Sequence, residues 1–266
     1  MHSIHRLTVT LLIVAMAAAT LGCSSSSPDT PQDESAELAE SPGPDVKEKR
    51  ARADAALESG EWQQAANHYQ TVTDAEPDRW EAHMNRGIAL ARLQDYQKAN
   101  DAFEAAIEAG GAEEGILYFN LGNLYQSWGL YEAAIDAYRA SMAYGTESDY
   151  EALLNISACL TFLNAFDQAR ETIDRAIDLE PNDLRAKVTL GVIKFSKGDA
   201  SDALDLYDEI LAVDPDLARA HYNRAFVLQR MGEVEEARRA YETYLELDPD
   251  GPYVTQAETQ LSTLED

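Results

Sequence analysis

The sequence predicts an all-α protein, an α-solenoid of six helix pairs that ends in a capping helix. An Ala recurs every 34 or 35 residues from Ala65 onward, and a residue that is large in every copy follows it four positions later. Apolar residues within each copy lie three and four apart, which is the spacing of a buried helix face. A fixed period of this length indicates stacked helix pairs rather than one globular core.

Two columns of residues define the repeat. We expect the small residue to let neighbouring helices approach closely and the large residue to fill the space between pairs. The alanine column consists of Ala65, Ala99, Ala134, Ala169, Ala203 and Ala237. The large-residue column consists of Tyr69, Phe103, Tyr138, Ile173, Tyr207 and Tyr241.

The register of these columns gives the bounds of the six pairs. The predicted units are 46–79, 80–114, 115–149, 150–183, 184–217 and 218–251, followed by a capping helix over 252–266. Four units close with a proline: Pro77, Pro181, Pro215 and Pro249. The second and third units end at Gly110 and Gly145 instead, because glycine also ends a helix by adopting the left-handed conformation.

The third unit carries a recognisable motif. It reads Tyr118-x2-Leu121-Gly122-x2-Tyr125, followed by Ala134-x3-Tyr138. This pattern resembles the tetratricopeptide repeat (TPR) family, and the resemblance extends over the whole chain after the linker. It implies a right-handed solenoid in which the first helix of each pair lines a concave groove.

The N-terminal segment carries targeting signals. Residues 1–22 contain Arg6 and then a short apolar run, which is typical of a secretory signal peptide. The sequence Thr20-Leu21-Gly22-Cys23 resembles the bacterial lipobox, so we expect cleavage before Cys23 and lipidation of that cysteine, including palmitate. An ordinary signal peptide with an incidental cysteine is the alternative.

The stretch that follows is predicted to be a disordered tether. Residues 23–45 are rich in Ser, Pro and acidic residues and contain no Lys or Arg. The protein is therefore expected in the bacterial cell envelope, attached to the membrane through a lipid anchor only. Because Ser24 rather than Asp follows the cysteine, the Gram-negative sorting rule implies the outer membrane, facing the periplasm, if the cell is Gram-negative.

Charge and residue types exclude several functions. The chain has 48 acidic residues against 21 Lys plus Arg, a formal net charge of -27, which argues against nucleic acid as a partner. His83 and His221 share a repeat position that packs between helices, and Cys159 falls in an apolar column, where a thiol behaves as a small hydrophobe. We predict no enzyme activity, no catalytic residue, no cofactor and no metal site.

The outward stripe of the first helices is the candidate site. Repeat positions 2, 5, 6, 9, 12 and 13 carry six basic and four acidic residues, although the chain is strongly acidic. Asn recurs at position 6, where its amide could hold the backbone of an extended peptide; a consensus residue without function is the alternative. Aromatic residues beside Arg are typical binding anchors. The candidate groove residues are Asn85, Asn120, Asn123, Asn155, Asn223, Phe119, Phe162, Phe195, Tyr222, Phe226, Arg92, Arg185, Arg219 and Arg230.

These features suggest a membrane-anchored scaffold that binds an extended segment of a partner protein, in the assembly of an envelope complex. The partner segment is expected to be acidic where it meets Arg185 and Arg219, which lie one repeat apart. The architecture is similar to six-repeat outer-membrane lipoproteins such as the type IV pilus secretin pilotins. A structural or self-associating envelope protein with no peptide ligand in the groove is the alternative.

Overall fold

The structure is a computed structural model that describes residues 44–145 and 149–264. These residues fall into two compact units, residues 44–111 and residues 112–264. The predicted signal peptide, Cys23 and nearly all of the predicted tether lie outside the described residues.

The first unit contains two helix pairs, and each helix packs against the next along the chain. Its helices are α1 (Pro44–Glu58), α2 (Trp62–Ala75), α3 (Trp80–Arg92) and α4 (Tyr96–Glu108). Helix α1 begins with Pro44, which suits the first position of a helix because its missing N–H would have no partner there.

The second unit contains four helix pairs and one further helix, and each helix again packs against the next. A 3₁₀ turn, Gly111–Glu113, lies at its N-terminal end. The helices are α5 (Gly115–Trp128), α6 (Tyr131–Ala143), α7 (Asp149–Phe162), α8 (Phe166–Leu179), α9 (Leu184–Lys197), α10 (Ala200–Val213), α11 (Ala218–Met231), α12 (Val234–Leu247) and α13 (Val254–Thr263). Helix α9 also contacts α7 and α11, so the first helices of these three pairs lie side by side.

The predicted fold class is confirmed. All regular elements of the described residues are helical, and they form the six pairs and the final helix that the period predicted. The division into two units was not predicted from the sequence. It falls where the second pair ends without a proline, at Gly110, whose φ is 107°.

The two columns form the core of both units. All six residues of the alanine column are fully buried, with 0% exposure. The large-residue column is at most 1% exposed, and its rings and the Ile173 side chain fill the space beside those alanines. A Cβ added to Gly122 would lie 2.6 Å from the Tyr138 ring, so the close approach of the two helices requires glycine there.

The turn between paired helices needs one residue in the left-handed region. Gly129 occupies it after α5, with a φ of 81°. In the second and fourth pairs the same conformation is adopted by Gln94 and Asn164, with φ values of 61° and 59°. For a side chain such as that of Gln94 this backbone conformation is strained.

Helix α13 packs against α12 at the C-terminal end of the second unit. Ala257 of α13 is fully buried, and Leu261 and Leu264 pack beside it. Gln229 of α11 also donates a hydrogen bond to Gln260 of α13, with a length of 2.8 Å. The final helix therefore covers apolar surface of the last pair, as a capping helix should.

Enlarging the alanine column should destabilise the fold. We expect Ala134→Leu or Ala203→Leu to lower the free energy of unfolding by about 1–3 kcal/mol, because the extra atoms cannot fit beside the large-residue column. Thermal unfolding followed by circular dichroism measures this. Ala212→Leu, at an exposed position of the same helix as Ala203, is the control and should have little effect. Unchanged melting of both core variants would mean that the repeat register is wrong.

Removing the strained turn should stabilise the first unit. We expect Gln94→Gly to raise the free energy of unfolding by about 0.5–1 kcal/mol, because relief of the left-handed strain outweighs the extra entropy of glycine in the unfolded chain. Chemical denaturation measures the change. Asn164→Gly should gain less, since Asn tolerates this conformation better. A lower stability for Gln94→Gly would contradict the interpretation.

Candidate protein-binding groove

The candidate groove of the second unit is built on a wall of first helices. Helices α7, α9 and α11 are neighbours, so equivalent positions of successive pairs lie next to one another along that wall. In the first unit the equivalent positions belong to α1 and α3. The structure therefore brings together candidate residues that lie about 34 residues apart in the sequence.

The amides in the first half of the chain are already engaged within the protein. Nδ2 of Asn85 donates to the Tyr69 hydroxyl at 3.1 Å, and Nδ2 of Asn120 donates to the carbonyl oxygen of Ile116 at 2.9 Å. Oδ1 of Asn123 accepts a hydrogen bond of 2.8 Å from the Tyr138 hydroxyl. Each of these three side chains thus makes a hydrogen bond within the protein, which uses part of the hydrogen-bonding capacity of Asn85 and Asn120 at repeat position 6.

The two remaining amides lie deeper in the second unit. Asn155 is 8% exposed and Asn223 is 2% exposed. Nδ2 of Asn223 makes no hydrogen bond with any part of the chain that the structure describes. Burying an amide donor without a partner is unfavourable, so Asn223 differs from the engaged amides of the earlier pairs.

The four candidate phenylalanines are half-buried and each contacts another aromatic ring. Phe195 and Phe226 are half-buried and contact each other edge to face, with ring centroids 5.6 Å apart. Phe119 contacts the Tyr138 ring at 5.6 Å. The Phe162 ring stacks on another ring of the unit, 4.6 Å away. These phenylalanines keep part of their surface free.

Tyr222 is not an exposed anchor. It is 3% exposed, and its ring stacks on the Tyr253 ring with centroids 4.5 Å apart. Tyr253 lies just before α13 and is held by a hydrogen bond from its backbone N–H to the Tyr244 hydroxyl, 2.9 Å long. The capping segment thus covers Tyr222, and the sequence-based expectation for this residue is wrong.

Arg185 is neutralised inside the protein. Its guanidinium lies 2.6 Å from the Asp183 carboxylate and 2.8 Å from the Glu151 carboxylate, and it also lies over the Tyr150 ring. The hydrogen bond that the Arg185 guanidinium donates to Asp183 holds the pKa of Arg185 above its usual value. The expected pair of free guanidinium groups is therefore wrong for this member. The sequence indicated this ion pair, because Glu151 occupies the same repeat position as Arg185, one repeat earlier.

The other three candidate arginines are in different surroundings. Arg92 lies over the Trp62 ring, 5.6 Å from its centroid, within the first unit. Arg219 is half-buried and Arg230 is exposed, both on α11. Neither of these two takes part in an ion pair with the described residues. Of these two cations without an ion pair, Arg219 is the one that is partly shielded from water.

Of the residues that were assigned a packing role, Cys159 is buried, whereas His83 and His221 are half-buried. Nε2 of His83 and of His221 each lies 2.8 Å from a proline carbonyl oxygen, that of Pro77 and that of Pro215. Cys159 is fully buried, and burial raises the pKa of its thiol to about 12. A thiol with this pKa stays protonated and unreactive near neutral pH.

The residues that the structure describes offer neither a metal site nor a membrane-spanning helix. No group of three or more His, Cys, Asp or Glu side chains there could hold a metal ion. No helix in that part of the chain is both long and apolar enough to cross a membrane.

Comparison with protein families identifies the class. Models of the tetratricopeptide repeat match residues 50–114, residues 116–144 and 150–183, and residues 190–262. The chain belongs to the tetratricopeptide repeat family, as the motif of the third unit indicated.

Solved structures with the same fold include bacterial TPR proteins. A TPR protein from Parabacteroides merdae ATCC 43184 is 16% identical with a TM-score of 0.66, over 84% of this chain and 93% of that one. PilW, a widely conserved type IV pilus biogenesis factor, is 17% identical with a TM-score of 0.65, over 81% and 99%. Pseudomonas aeruginosa pilF is 13% identical with a TM-score of 0.58, over 81% and 97%. At these identities the likeness establishes the fold.

A curated relative matches a short part of the chain. BBSome complex member BBS4 of Bos taurus is 33% identical over 79 residues. The match covers 30% of this chain and 15% of that protein.

Proposed function

We propose that this TPR protein is a lipid-anchored scaffold of the bacterial cell envelope, which binds an extended, acidic segment of a partner protein along the wall of first helices. The observation that carries the proposal is the position of Arg219 of α11 on the same wall as Phe195 and Phe226, in a chain with a net charge of -27. Arg219 has no ion pair among the described residues, and the Phe195–Phe226 pair is half-buried on the same wall.

The chemistry of this surface suits an extended acidic segment. A guanidinium that is partly shielded from water binds a carboxylate more strongly than an exposed one does. Aromatic side chains beside it offer apolar contact area for the neighbouring residues of the segment. Nucleic acid fits poorly, because the rest of the chain is acidic.

The role in assembly and the location are part of the same proposal. TPR folds are typical of protein–protein interaction, and the type IV pilus biogenesis factor PilW shares this fold. The lipobox-like sequence that ends at Cys23 supports attachment to the envelope membrane, at the outer membrane facing the periplasm in a Gram-negative cell. A structural or self-associating envelope protein is the second candidate, favoured by the amides that are engaged internally.

The lipid anchor can be tested directly. We expect the full-length chain to incorporate clickable palmitate, and Cys23→Ser to lose the label and to be released from the membrane fraction, because Cys23 would be the acylated residue. Cys159→Ser is the control and should stay labelled, since that thiol is buried. An unlabelled wild-type chain that is cleaved before another residue would contradict the anchor.

The groove is tested by charge reversal. The full-length chain is first used to capture partners from detergent-solubilised envelope; a dominant partner supports the scaffold, whereas copies of this chain alone support self-association. We expect Arg219→Glu to weaken that partner's affinity by roughly tenfold or more, because a partly shielded pair exceeds the 0–1 kcal/mol of an exposed one. Calorimetry at fixed salt measures it.

The matched control is Glu236→Lys on α12, where Glu236 is exposed and lies 3.9 Å from Arg239. Its affinity should stay close to that of the wild type. If Arg219→Glu binds normally, or if Glu236→Lys is the damaging change, the wall of first helices is not the binding surface.

A further inference from the structure

Two arginines break the charge pattern of the second helices. The position five residues after each alanine of the column holds an acid in four of the six pairs, namely Glu104, Asp174, Asp208 and Glu242. In the third pair this position holds Arg139 instead. The next position holds Arg175 in the fourth pair and no basic residue in any other pair. The two arginines thus belong to α6 and α8, the second helices of neighbouring pairs.

The structure places both arginines at one cavity. Helix α7 packs against α6 and also against α8. The cavity between these three helices has a volume of about 190 Å³. It is lined by Arg139 and Met142 of α6, by Leu153 and Ile156 of α7, and by Thr172 and Arg175 of α8.

The cavity has an apolar floor and a cationic rim. Leu153 and Ile156 are 2% and 4% exposed, whereas Arg139 and Arg175 are exposed. The side chains of α7 therefore lie at the bottom, and each neighbouring second helix contributes one guanidinium to the opening. The cavity opens through the layer of second helices, so it is separate from the wall of first helices that carries Arg219.

Both guanidinium groups retain charge for a ligand. Nη1 of Arg139 lies 3.5 Å from Asp136, and the two side chains are largely exposed to water, so this ion pair is weak. Arg175 takes part in no ion pair with the described residues, although Glu171 and Asp178 lie one turn away on α8. A carboxylate that meets both arginines at once therefore displaces at most one weak contact.

The volume and the lining limit what the cavity can hold. Pockets for drug-sized ligands measure about 300–1,000 Å³, so this smaller cavity suits a single side chain. Its floor favours an apolar side chain, because burial removes apolar surface from water. The Thr172 hydroxyl already donates to the carbonyl oxygen of Gln168 at 2.8 Å, which leaves the guanidinium groups as the donors that bind carboxylates.

We propose that this cavity is a second protein-binding site, which holds one large apolar side chain of a partner segment while Arg139 and Arg175 bind the acidic residues that flank it. The site goes beyond the proposed function, because it lies outside the wall of first helices. A scaffold with one site on each layer of helices holds two partners at the same time.

The occupant is a protein segment rather than a membrane. The cavity admits one side chain, which a narrow segment presents without touching its surroundings. A lipid bilayer is a broad surface, and its anionic head groups would also meet Asp136, Glu171 and Asp178, which lie beside the two arginines. Repulsion by these acids disfavours the membrane and leaves the segment as the complementary ligand.

The first experiment measures the binding of defined peptides. The probes are N-acetyl-Glu-Leu-Glu-amide, N-acetyl-Gln-Leu-Gln-amide, which lacks the charges, and N-acetyl-Glu-Ala-Glu-amide, which lacks the large apolar side chain. NMR titration of the full-length chain with ¹³C-methyl methionine follows the signal of Met142, which lines the cavity, and uses that of Met231 on α11 as the reference. We expect the Glu-Leu-Glu peptide to bind about tenfold more tightly than either of the others.

The second experiment uses variants of the rim. Arg139→Gln and Arg175→Gln should each weaken the Glu-Leu-Glu peptide by roughly threefold to tenfold, because each removes one guanidinium. Arg170→Gln is the matched control and should bind like the wild type, since Arg170 is also exposed on α8, lies 3.3 Å from Asp174 and does not line this cavity. The three positions are exposed, so the Tm of each variant should stay close to that of the wild type.

Several results would overturn the site. They are a Glu-Leu-Glu peptide that binds no more tightly than one of the other two, and an affinity that Arg175→Gln leaves unchanged. Inorganic phosphate that binds as tightly as the peptide would mean a simple anion site. The soluble lipid dihexanoylphosphatidylglycerol, if it binds as tightly, would mean a membrane contact in place of a protein partner.

The cavity and the wall of first helices are tested independently. Arg219→Glu should leave the peptide response of Met142 unchanged. If Arg175→Gln weakens the peptide while the envelope partner is insensitive to Arg219→Glu, the cavity site stands and the proposed function is wrong. If Arg219→Glu releases the envelope partner while no peptide shifts Met142, the proposed function stands and the cavity site is wrong.

Discussion

The contact between a small residue and a large one holds each helix pair together. Ala203 is fully buried beside the Tyr207 ring, and Gly191 leaves the space that a Cβ would take, 2.6 Å from that ring. Since a single pair cannot bury its apolar face, the same contact must recur from pair to pair. The fold therefore tolerates wide variation in its surface residues while the alanine and large-residue columns stay constant in size.

This core contact also determines chemistry at the surface. A tyrosine in the large-residue column fills space with its ring, but it carries a hydroxyl to the base of the wall of first helices. There the hydroxyl needs an acceptor, which Asp54 supplies for Tyr69 and Gln229 supplies for Tyr241. Core packing and groove polarity are thus coupled, and the buried hydroxyl of Tyr207 is left without an acceptor among the described residues.

The sequence predicted the helices and their order because small and large side chains recur in it at a fixed period. That period can be read from a single sequence. It did not predict the surroundings of individual groove residues. Tyr222 is covered because Tyr253, outside the repeat, stacks on it. Arg185 is paired because Glu151 reaches it from the preceding pair. Both outcomes depend on side-chain conformations and on the placement of the last segment, which the period does not specify.

Charge gives the proposed sites their selectivity. With 48 acidic residues against 21 Lys plus Arg, the chain repels an acidic segment over most of its surface. Such repulsion discriminates as effectively as attraction does, because a segment that binds among the acidic residues must bring like charges together. Arg185 shows how a cation on the wall of first helices can be neutralised by two acids of its own chain. At Arg219 those acids are replaced by Leu217 and Arg185, so neither its own turn nor the preceding pair supplies an acid that would neutralise it.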